Sequence, residues 1–345
     1  MNIRKKGSLI WIISMSCIVL GILIALISLL IVGFDLNRLN TDGEWQERTL
    51  VQSAEGFSEI NIEVRNRSIE VRPGRGDEIV ITYFENDRTT FTETITNSSI
   101  SFVQDRNITI FNMQWFTFNL SNVTGASTVV VEIPEEVILS GDFRTTNGRI
   151  AIGEVDFEGL QVRSSNGSIS LEDAAVMGQV TVNTSNAAVN ITNSDFSGLV
   201  GLETSNGRIN LEGVNVDGNL NLRTSSGNVN LSDVNSTGNI TTRTSNGRIE
   251  LERVITTGDL DLTSSNGMIQ LGQSVFNNGS ITTTNGRVTV NHLQDHESYR
   301  ITTRTSNATT TIGDMRLASG NNSIGNGERL LDIRTSNGHI EVNFD

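Results

Sequence analysis

Three glutamates that recur at a fixed spacing are the first candidates for chemistry in this chain. Glu172, Glu212 and Glu252 lie 40 residues apart, each directly after a short alternating apolar stretch. Acid–base cleavage of a glycan needs two carboxylates close together in one groove, often with a basic residue beside them. Because the last lysine is Lys6 and the chain has only three histidines, we expect these glutamates to be solvated. We predict no catalytic residue and no enzymatic activity.

Arginines form two further columns with related spacing. A row of guanidinium groups can bind an anionic polymer such as a wall teichoic acid or an acidic glycan. The alternative is pairing with Glu and Asp of neighbouring repeats, and the sequence leaves both open. The candidate contacts to an anionic polymer are Arg144, Arg163, Arg223 and Arg243, and the remaining members of the columns are Arg304, Arg334, Arg149, Arg208, Arg248 and Arg287.

Composition excludes several other classes of site. Cys17 is the single cysteine, so a disulfide framework and a thiolate metal cluster are excluded. His292, His296 and His339 are the only histidines, which leaves little for a zinc site. The net charge of −14 argues against a nucleic-acid partner, because phosphate contacts need clustered cations. We therefore predict no cofactor, no metal and no nucleic acid.

A turn motif of the type Thr-Ser-Asn-Gly repeats along the C-terminal 200 residues. Its central polar residue recurs at intervals of 19 to 22 residues, and once of 30, which indicates a repeat architecture with a unit of 20 residues. We expect each turn glycine to supply the positive φ of a corner, and the asparagines to hydrogen-bond along a stack. The residues of this structural turn ladder are Asn147, Gly148, Asn166, Gly167, Asn186, Asn206, Gly207, Ser226, Gly227, Asn246, Gly247, Asn266, Gly267, Asn285, Gly286, Asn337 and Gly338.

Alternating apolar residues flank each turn and predict two strands per unit. A second glycine, as at Gly178 and Gly198, closes the unit. An antiparallel meander of hairpins fits this pattern, since Asn-Gly is a strong hairpin signal. A solenoid fits it better, because only stacking of equivalent positions explains an asparagine at every twentieth residue. The predicted fold class is all-β, a single-chain β-solenoid of about 20-residue coils over residues 141–345.

The N-terminal residues are predicted to form a membrane anchor. Residues 9–34 carry no charge and are long enough to span the hydrocarbon core as a helix, which makes them longer than the apolar region of a signal peptide. Arg4, Lys5 and Lys6 precede this stretch and acids follow it, so the positive-inside rule leaves residues 1–8 in the cytoplasm. We predict a single-pass protein of the bacterial cytoplasmic membrane, with a stalk at 35–50 and an extracytoplasmic C-terminal domain.

Residues 51–140 are rich in strand patterns but lack the 20-residue period. Eight of the 18 aromatic residues lie between Tyr83 and Phe118. One interpretation is that these rings pack a wider first section that caps the open end of the solenoid. The other is an exposed aromatic face that stacks against glycans. We predict the capping section.

The chain resembles the bacterial "putative-adhesin" family, a domain family of unknown function built of repeated β-strands. The anchor, the opening NIEVRNRSIEVRPGRGDEIVITY, the junction VVVEIPEEVILSGDFRTTNGRIAI and the TSNG turns carry this resemblance over residues 55–345. It implies a β-solenoid, an envelope location, no established catalysis and, in some members, a link to envelope stress responses. Glycine is missing at Ala187 and Ala308, and an insertion separates Asn307 from Asn337, so we expect irregular coils there.

Four functions stay open at this point. The leading hypothesis is a non-enzymatic, membrane-anchored adhesin that presents a repetitive polar face to envelope polymer or another surface. The second is an accessory protein of an envelope-stress system that contacts membrane sensor proteins. The third is self-assembly through the last strand, residues 339–345, which ends the chain without an evident cap. A β-helical polysaccharide-processing enzyme is the fourth and the least supported.

Overall fold

The computed structural model describes residues 14–24, 26–27, 45–87, 89–105, 127–293 and 295–344 of the 345-residue chain. Apart from helical residues 14–24 and 26–27 and a 3-10 helix at His296–Ser298, its regular structure is β. The strands are β1 (Gln46–Ser53), β2 (Glu59–Glu63), β3 (Ser68–Gly74), β4 (Glu78–Glu85), β5 (Phe91–Ile95), β6 (Ser99–Gln104), β7 (Thr128–Pro134), β8 (Leu139–Thr145), β9 (Ile150–Gly153), β10 (Phe157–Ser164), β11 (Ile169–Glu172), β12 (Ala175–Val176), β13 (Val180–Thr184), β14 (Val189–Thr192), β15 (Asp195–Phe196), β16 (Val200–Thr204), β17 (Ile209–Val216), β18 (Leu220–Thr224), β19 (Val229–Ser236), β20 (Ile240–Thr244), β21 (Ile249–Thr256), β22 (Leu260–Ser264), β23 (Ile269–Gly272), β24 (Gly279–Thr283), β25 (Val288–Asn291), β26 (Tyr299–Thr305), β27 (Thr310–Ile312), β28 (Met315–Leu317), β29 (Gly320–Ile324), β30 (Arg329–Thr335) and β31 (Ile340–Val342).

Equivalent positions of successive repeats pair with each other in parallel. Leu220 of β18 faces Ile240 of β20, and Val229 of β19 faces Ile249 of β21, so each repeat is one coil stacked on the next. This register confirms the solenoid and excludes the meander, in which neighbouring strands would run antiparallel. We call the strand before the Asn corner side A and the strand after it side B. Most of their inward residues are buried Ile, Leu and Val, as at Leu220 and Ile249, and side A adds buried Thr and Ser.

A third, short side completes each coil, and the prediction of two strands per unit was wrong in this respect. Side C consists of β12, β15 and the ends of β17, β19 and β21, which pair in register from Val176 to Phe196 and on to Val216. Sides B and C meet at a residue in the left-handed conformation, with φ between 41° and 64° along the column. Three sides close a triangular core, so one coil buries apolar residues without a second sheet.

The order of coils along the rod differs from the order in the chain at the C-terminal end. The last coil, β30 and β31, lies between β24–β25 on one side and β26–β27 on the other, and it pairs in parallel with both. The preceding coil is therefore outermost, and β28 and β29 cover it in antiparallel fashion. The insertion before Asn337 supplies this cover. The prediction that the last strand has a free edge was wrong, because both edges of β31 are paired.

The N-terminal end shows the same arrangement. Strands β2 and β3 lie between β8–β9 on one side and β6–β7 on the other. Strands β1, β4 and β5 add antiparallel cover to the outermost level. Among the described residues, each end of the rod thus holds its terminal coil between two others, and antiparallel strands pair with the outermost level. The described residues form twelve levels, or roughly 55 Å of stack.

Aromatic rings fill the N-terminal cap, as the capping interpretation predicts. Tyr83, Phe91 and Phe102 lie with centroids 4.7 to 5.0 Å apart, and Phe102 is fully buried. The alternative of an aromatic binding face concerns mainly residues 107–120, which lie outside the described residues. The predicted boundaries at 141 and at 51 differ slightly from the strands, since β8 begins at Leu139 and β1 begins at Gln46 within the predicted stalk.

The predicted anchor is described only in part. Residues 14–24 and 26–27 are helical and exposed, and the other residues of 9–34 lie outside the described residues, as do 35–44 of the stalk. In the described segments, no helix reaches the length and apolarity that a membrane crossing requires.

Candidate functional site

The corner between sides A and B carries the asparagine ladder. Asn166 Nδ2 donates to Asn147 Oδ1 at 2.6 Å, and Asn186 donates to Asn166 at 2.6 Å. The ladder begins one level earlier than the sequence predicts, at Asn66, which accepts from Asn147. Such in-register amide ladders stabilise stacks of parallel strands. The other bonds of the ladder join Asn206 to Asn186, Asn266 to Asn246, Asn285 to Asn266, Asn337 to Asn285 and Asn307 to Asn337, all at 2.6 to 2.8 Å.

Ser226 divides this ladder into two halves. The run from Asn66 to Asn206 ends below it, and the run from Asn246 to Asn307 begins above it. A serine side chain is too short to reach asparagines one level away on both sides. Each half contains five asparagines and four amide hydrogen bonds.

The turn glycines permit close approach of successive corners, and the predicted reason, a positive φ, was wrong. None of the glycines in the predicted ladder is among the residues with positive φ. A Cβ added at Gly167 would overlap the carbonyl oxygen of Gly148, and one at Gly247 would overlap that of Gly227. The same overlap recurs up the column because each corner lies directly against the corner below it.

A buried hydroxyl joins successive corners. Thr244 Oγ1 accepts from the N–H of Gly247 at 3.1 Å and donates to the carbonyl of Gly227 on the level below at 3.4 Å. Ser264 and Thr224 make the same two bonds. The sequence shows this column as the invariant Ser or Thr at the last inward position of side A. These hydroxyls satisfy polar groups of a corner that is shielded from water.

The two alanine corners lie at different places in the rod. The coil of Ala187 stays in register on sides A and B, and Asn186 keeps both ladder bonds, so the prediction of an irregular coil was wrong there. The coil of Ala308 also stays in register on sides A and B, and what is irregular there is its position as the displaced outermost coil of the rod. Within the described residues, neither alanine N–H bonds to the Thr hydroxyl three residues earlier, which the glycine corners do.

Side A carries the four arginines predicted to contact an anionic polymer, as two separate pairs. Arg144 lies in register with Arg163, and Arg223 lies in register with Arg243. Arg144 forms a bidentate pair with Asp142, a hydrogen bond that raises the pKa of Arg144. Arg223 Nε lies 3.7 Å from Glu203, and Arg243 lies 3.1 Å from Asp261. Three of the four arginines therefore have a carboxylate partner, which favours pairing within the rod.

Side B carries the glutamates and a second amide ladder. Glu172 pairs with Thr192, which pairs with Glu212, then Ser232 and Glu252, so a hydroxyl residue separates successive carboxylates. Asn230 donates to Asn210 at 2.8 Å, and Asn210 donates to Asn190 at 2.7 Å. This central ladder was missed from the sequence. The pattern Asn-Ile, Asn-Leu, Asn-Leu at a spacing of 20 residues could have revealed it.

A groove opens at the N-terminal end of side B. Its floor is formed by the small residues Ala151 and Gly153, and Arg149, Ser170 and Glu172 stand around it. Arg149 Nη2 donates to Ser170 Oγ at 3.0 Å across the levels. The groove has a volume of about 450 Å³, a size found for small-molecule sites.

The left-handed corner between sides B and C carries a bidentate ion pair. Arg253 donates to both carboxylate oxygens of Asp233 on the level below, at 2.6 and 2.8 Å. These hydrogen bonds lower the pKa of Asp233 to about 2. Among the described residues, no group of three or more His, Cys, Asp or Glu is arranged to hold a metal ion.

Arg67 closes the column of turn glycines at the N-terminal end. It follows Asn66, and its guanidinium lies 4.8 Å from the ring centroid of Trp45 and 5.5 Å from that of Phe91. Burial lowers the pKa of Arg67 to about 10. These contacts attach the beginning of β1 to the aromatic cap.

Comparisons with known proteins identify the family of this chain. A search of the curated proteins found no match. A crystal structure titled "putative cell adhesion protein" from Clostridium sporogenes is similar at a TM-score of 0.26 and 9% identity, over 88% of this chain and 100% of that chain. The family model described as Toastrack DUF4097 matches residues 57–254 and 217–345. This match confirms the resemblance to a domain family of unknown function built of repeated β-strands: the chain belongs to the Toastrack DUF4097 family.

Proposed function

We propose that this chain is a non-enzymatic surface rod of a bacterial cell envelope. Its N-terminal apolar segment anchors it in the cytoplasmic membrane with the N-terminus inside, and the rod presents its polar sides to envelope polymer or to another surface. The observation that carries the proposal is the parallel register, which turns each outward residue position into a column that repeats about every 4.8 Å.

Columns of this kind suit a repetitive ligand. A polymer laid along the rod meets the same chemistry at every level, so many weak contacts add up in the manner of multivalent binding. The polar residues around Asn210 and Asn230 are held by the stack before any ligand arrives, which reduces the entropy lost on binding.

The acid residues support a role without catalysis. Glu172, Glu212 and Glu252 are separated from one another by a hydroxyl residue and lie about 9.6 Å apart on the surface. The three carboxylates repeat at every second level in equivalent positions. A glycosidase site requires instead one pair of carboxylates with different environments.

The membrane anchor is supported by the sequence. Residues 9–34 carry no charge, and Arg4, Lys5 and Lys6 stand before them. The described rod begins at Trp45, about ten residues after the end of the apolar stretch. A polar stalk of this length would keep the capped end of the rod near the membrane and direct the stack outwards.

Sedimentation of the full-length protein with cell-wall sacculi tests the proposal. The protein is held in detergent micelles, and sacculi are used with and without their covalently attached anionic polymer. Co-sedimentation with either preparation supports the proposal, and binding that falls with salt only in the presence of anionic polymer assigns a role to Arg163 and the other side A arginines. Absence of binding to both preparations would overturn the proposal, and capture of one sensor protein from solubilised membranes would then favour the regulatory alternative.

A further inference from the structure

Side B shows a chemical period of two coils. Its outward residues form three columns, which pass through Arg149, Ala151 and Gly153. Charged levels alternate with neutral ones in the middle of the rod. The charged levels are Arg208, Asn210 and Glu212, and then Arg248, Glu250 and Glu252; the neutral levels are Ala188, Asn190 and Thr192, then Asn228, Asn230 and Ser232, and then Met268, Gln270 and Gly272.

The period follows from the register and has a defined length. Because each level adds about 4.8 Å, equivalent charges on side B recur every 9.6 Å or so in the middle of the rod, as at Arg208 and Arg248. Repulsion between like charges on adjacent strands disfavours a shorter period. Side A does not share this alternation, since Arg223 and Arg243 occupy adjacent levels there.

Side B has hydrogen-bond donors and acceptors that the central ladder does not use. Asn210 uses one N–H and one lone pair within the central ladder, which leaves a second N–H and a second lone pair for a ligand. Arg208 and Glu212 are exposed on either side of it. Each charged level therefore offers a cationic donor and an anionic acceptor at opposite ends of one strand, with the Asn210 amide between them at the first level and the Glu250 carboxylate at the second. This set matches the hydroxyl and acetamido groups of a sugar.

The groove at Ala151 and Gly153 provides a place where a sugar ring can enter the surface of side B. Both outward residues are small, while Glu70 on one side and Ser170 on the other rise above them. The groove lies on the same three columns as the alternating levels. A polymer seated in it would continue over Ser170 towards Asn190.

We propose that side B binds a linear β-1,4-linked glycan laid along the rod, with one disaccharide to every two coils. In such a glycan successive sugars are turned over, so the chemical repeat is the disaccharide, and its length in an extended strand is close to two strand spacings. A ligand whose repeat matches the length of two coils can make the same contact at Arg208 and at Arg248 without changing its conformation. This proposal rests on the proposed function and names the ligand class and the face.

Chitohexaose, a soluble β-1,4-linked hexamer of N-acetylglucosamine, is the probe. Fluorescence anisotropy of end-labelled chitohexaose is measured with the full-length protein in micelles, and labelled maltohexaose, an α-1,4-linked hexamer, serves as the comparison ligand. We expect binding of chitohexaose only. Arg208→Ala should weaken it by about tenfold, as expected for loss of a charge-assisted hydrogen bond, and Ala151→Trp should do the same by filling the groove. Arg223→Ala on side A is the matched control and should leave the affinity unchanged.

Deletion of whole coils tests the period itself. Removing residues 219–238 joins Gly218 to Asn239 and brings the two charged levels of Arg208 and Arg248 together. Removing 219–258 joins Gly218 to Asp259 and keeps the alternation. We expect the one-coil deletion to lose about tenfold in affinity, and the two-coil deletion, which is shorter, to lose less. The circular dichroism spectrum of each variant reports whether the β-structure is retained.

The outcomes separate this inference from the proposed function. Binding to sacculi that is unaffected by Arg208→Ala and by the one-coil deletion would overturn the glycan proposal and leave the surface rod standing. Loss of chitohexaose binding in Arg223→Ala and not in Arg208→Ala would also overturn it. Failure to bind sacculi at all would remove the proposed function.

Discussion

Asn337, in the last coil of the chain, donates a side-chain hydrogen bond to Asn285, 52 residues earlier, at 2.6 Å. Its predecessor in the repeat, Asn307, lies on its other side and donates to it. The hydrogen bonds of the corner ladder therefore follow the order of the coils in space, which differs from their order in the chain. The final coil joins its two neighbours, so its removal would leave a gap inside the stack.

Ser226→Asn should stabilise the rod by joining the two halves of the corner ladder. The new amide can donate to Asn206 and accept from Asn246, and one or two additional hydrogen bonds contribute about 1 to 2 kcal/mol. The free energy of unfolding in urea checks this. Ser225→Asn, one position outside the ladder, is the control, and an equal gain in both variants would contradict the ladder as the cause.

Gly247→Ala should destabilise the rod, because its Cβ would overlap the carbonyl of Gly227. Backbone shifts of this kind cost about 1 to 3 kcal/mol. Gly201→Ala is the matched control, since the nearest atom to a Cβ there is the carbonyl oxygen of Val180 at an ordinary 3.9 Å. Thermal unfolding of both variants is the measurement, and a neutral Gly247→Ala would show that close approach does not require glycine.

Two buried threonines on neighbouring inward positions should respond in opposite directions to valine. The hydroxyl of Thr242 is buried without a hydrogen-bond partner between Leu222 and Leu262, whereas that of Thr244 joins two corners. Thr242→Val should raise the free energy of unfolding by about 1 to 2 kcal/mol, and Thr244→Val should lower it by a similar amount. Denaturant titrations measure the free energy of unfolding of both variants. A loss of stability in both would argue against an unsatisfied hydroxyl at Thr242.

Acid should weaken the pair between Arg253 and Asp233. The pKa of Asp233 falls from its ordinary 3.8 to about 2 in the folded state, so the stabilisation is fully present above about pH 4 and is lost as the pH falls through 2. Asp233→Asn should therefore flatten the pH dependence of urea unfolding between pH 4 and pH 2. Asp156→Asn, at a position without an ion pair in the described residues, is the comparison. The same flattening there would contradict the assignment.

The central stack was predictable from sequence because one chemical pattern recurs at a constant spacing. Ile249 and Leu251 identify the inward face of side B, and the asparagine period decides between a solenoid and a meander. Side C was not predicted because it is short and its inward column mixes Phe196 and Val216 with Ser236 and Thr256. The required glycine was recognised, but sequence alone does not distinguish a positive φ from a close contact.

The interleaved ends could not be predicted because all coils share one consensus. The segment around Asn337 has the same turn and the same apolar columns as that around Asn307, so either could stack on Asn285. What distinguishes the Asn307 coil in the structure is the antiparallel cover that β28 and β29 give it as the outer level. On side B, the charged levels were visible as a column of glutamates. Sequence did not show that these glutamates share a face with Arg208 and the central ladder, because that depends on the register of the strands.

The central claim is that the coils form one in-register stack whose order is interleaved at the ends, and disulfide trapping tests it most directly. In a Cys17→Ser background, cysteines replace Thr282 and Arg334, or Arg334 and Arg304, which are paired neighbours on side A. A third variant carries cysteines at positions 282 and 304, two levels apart at about 9.6 Å and too far for a bridge. Mass spectrometry after mild oxidation should find the bridge in the first two variants and not in the third. A bridge in the third variant, with none between 282 and 334, would contradict the account.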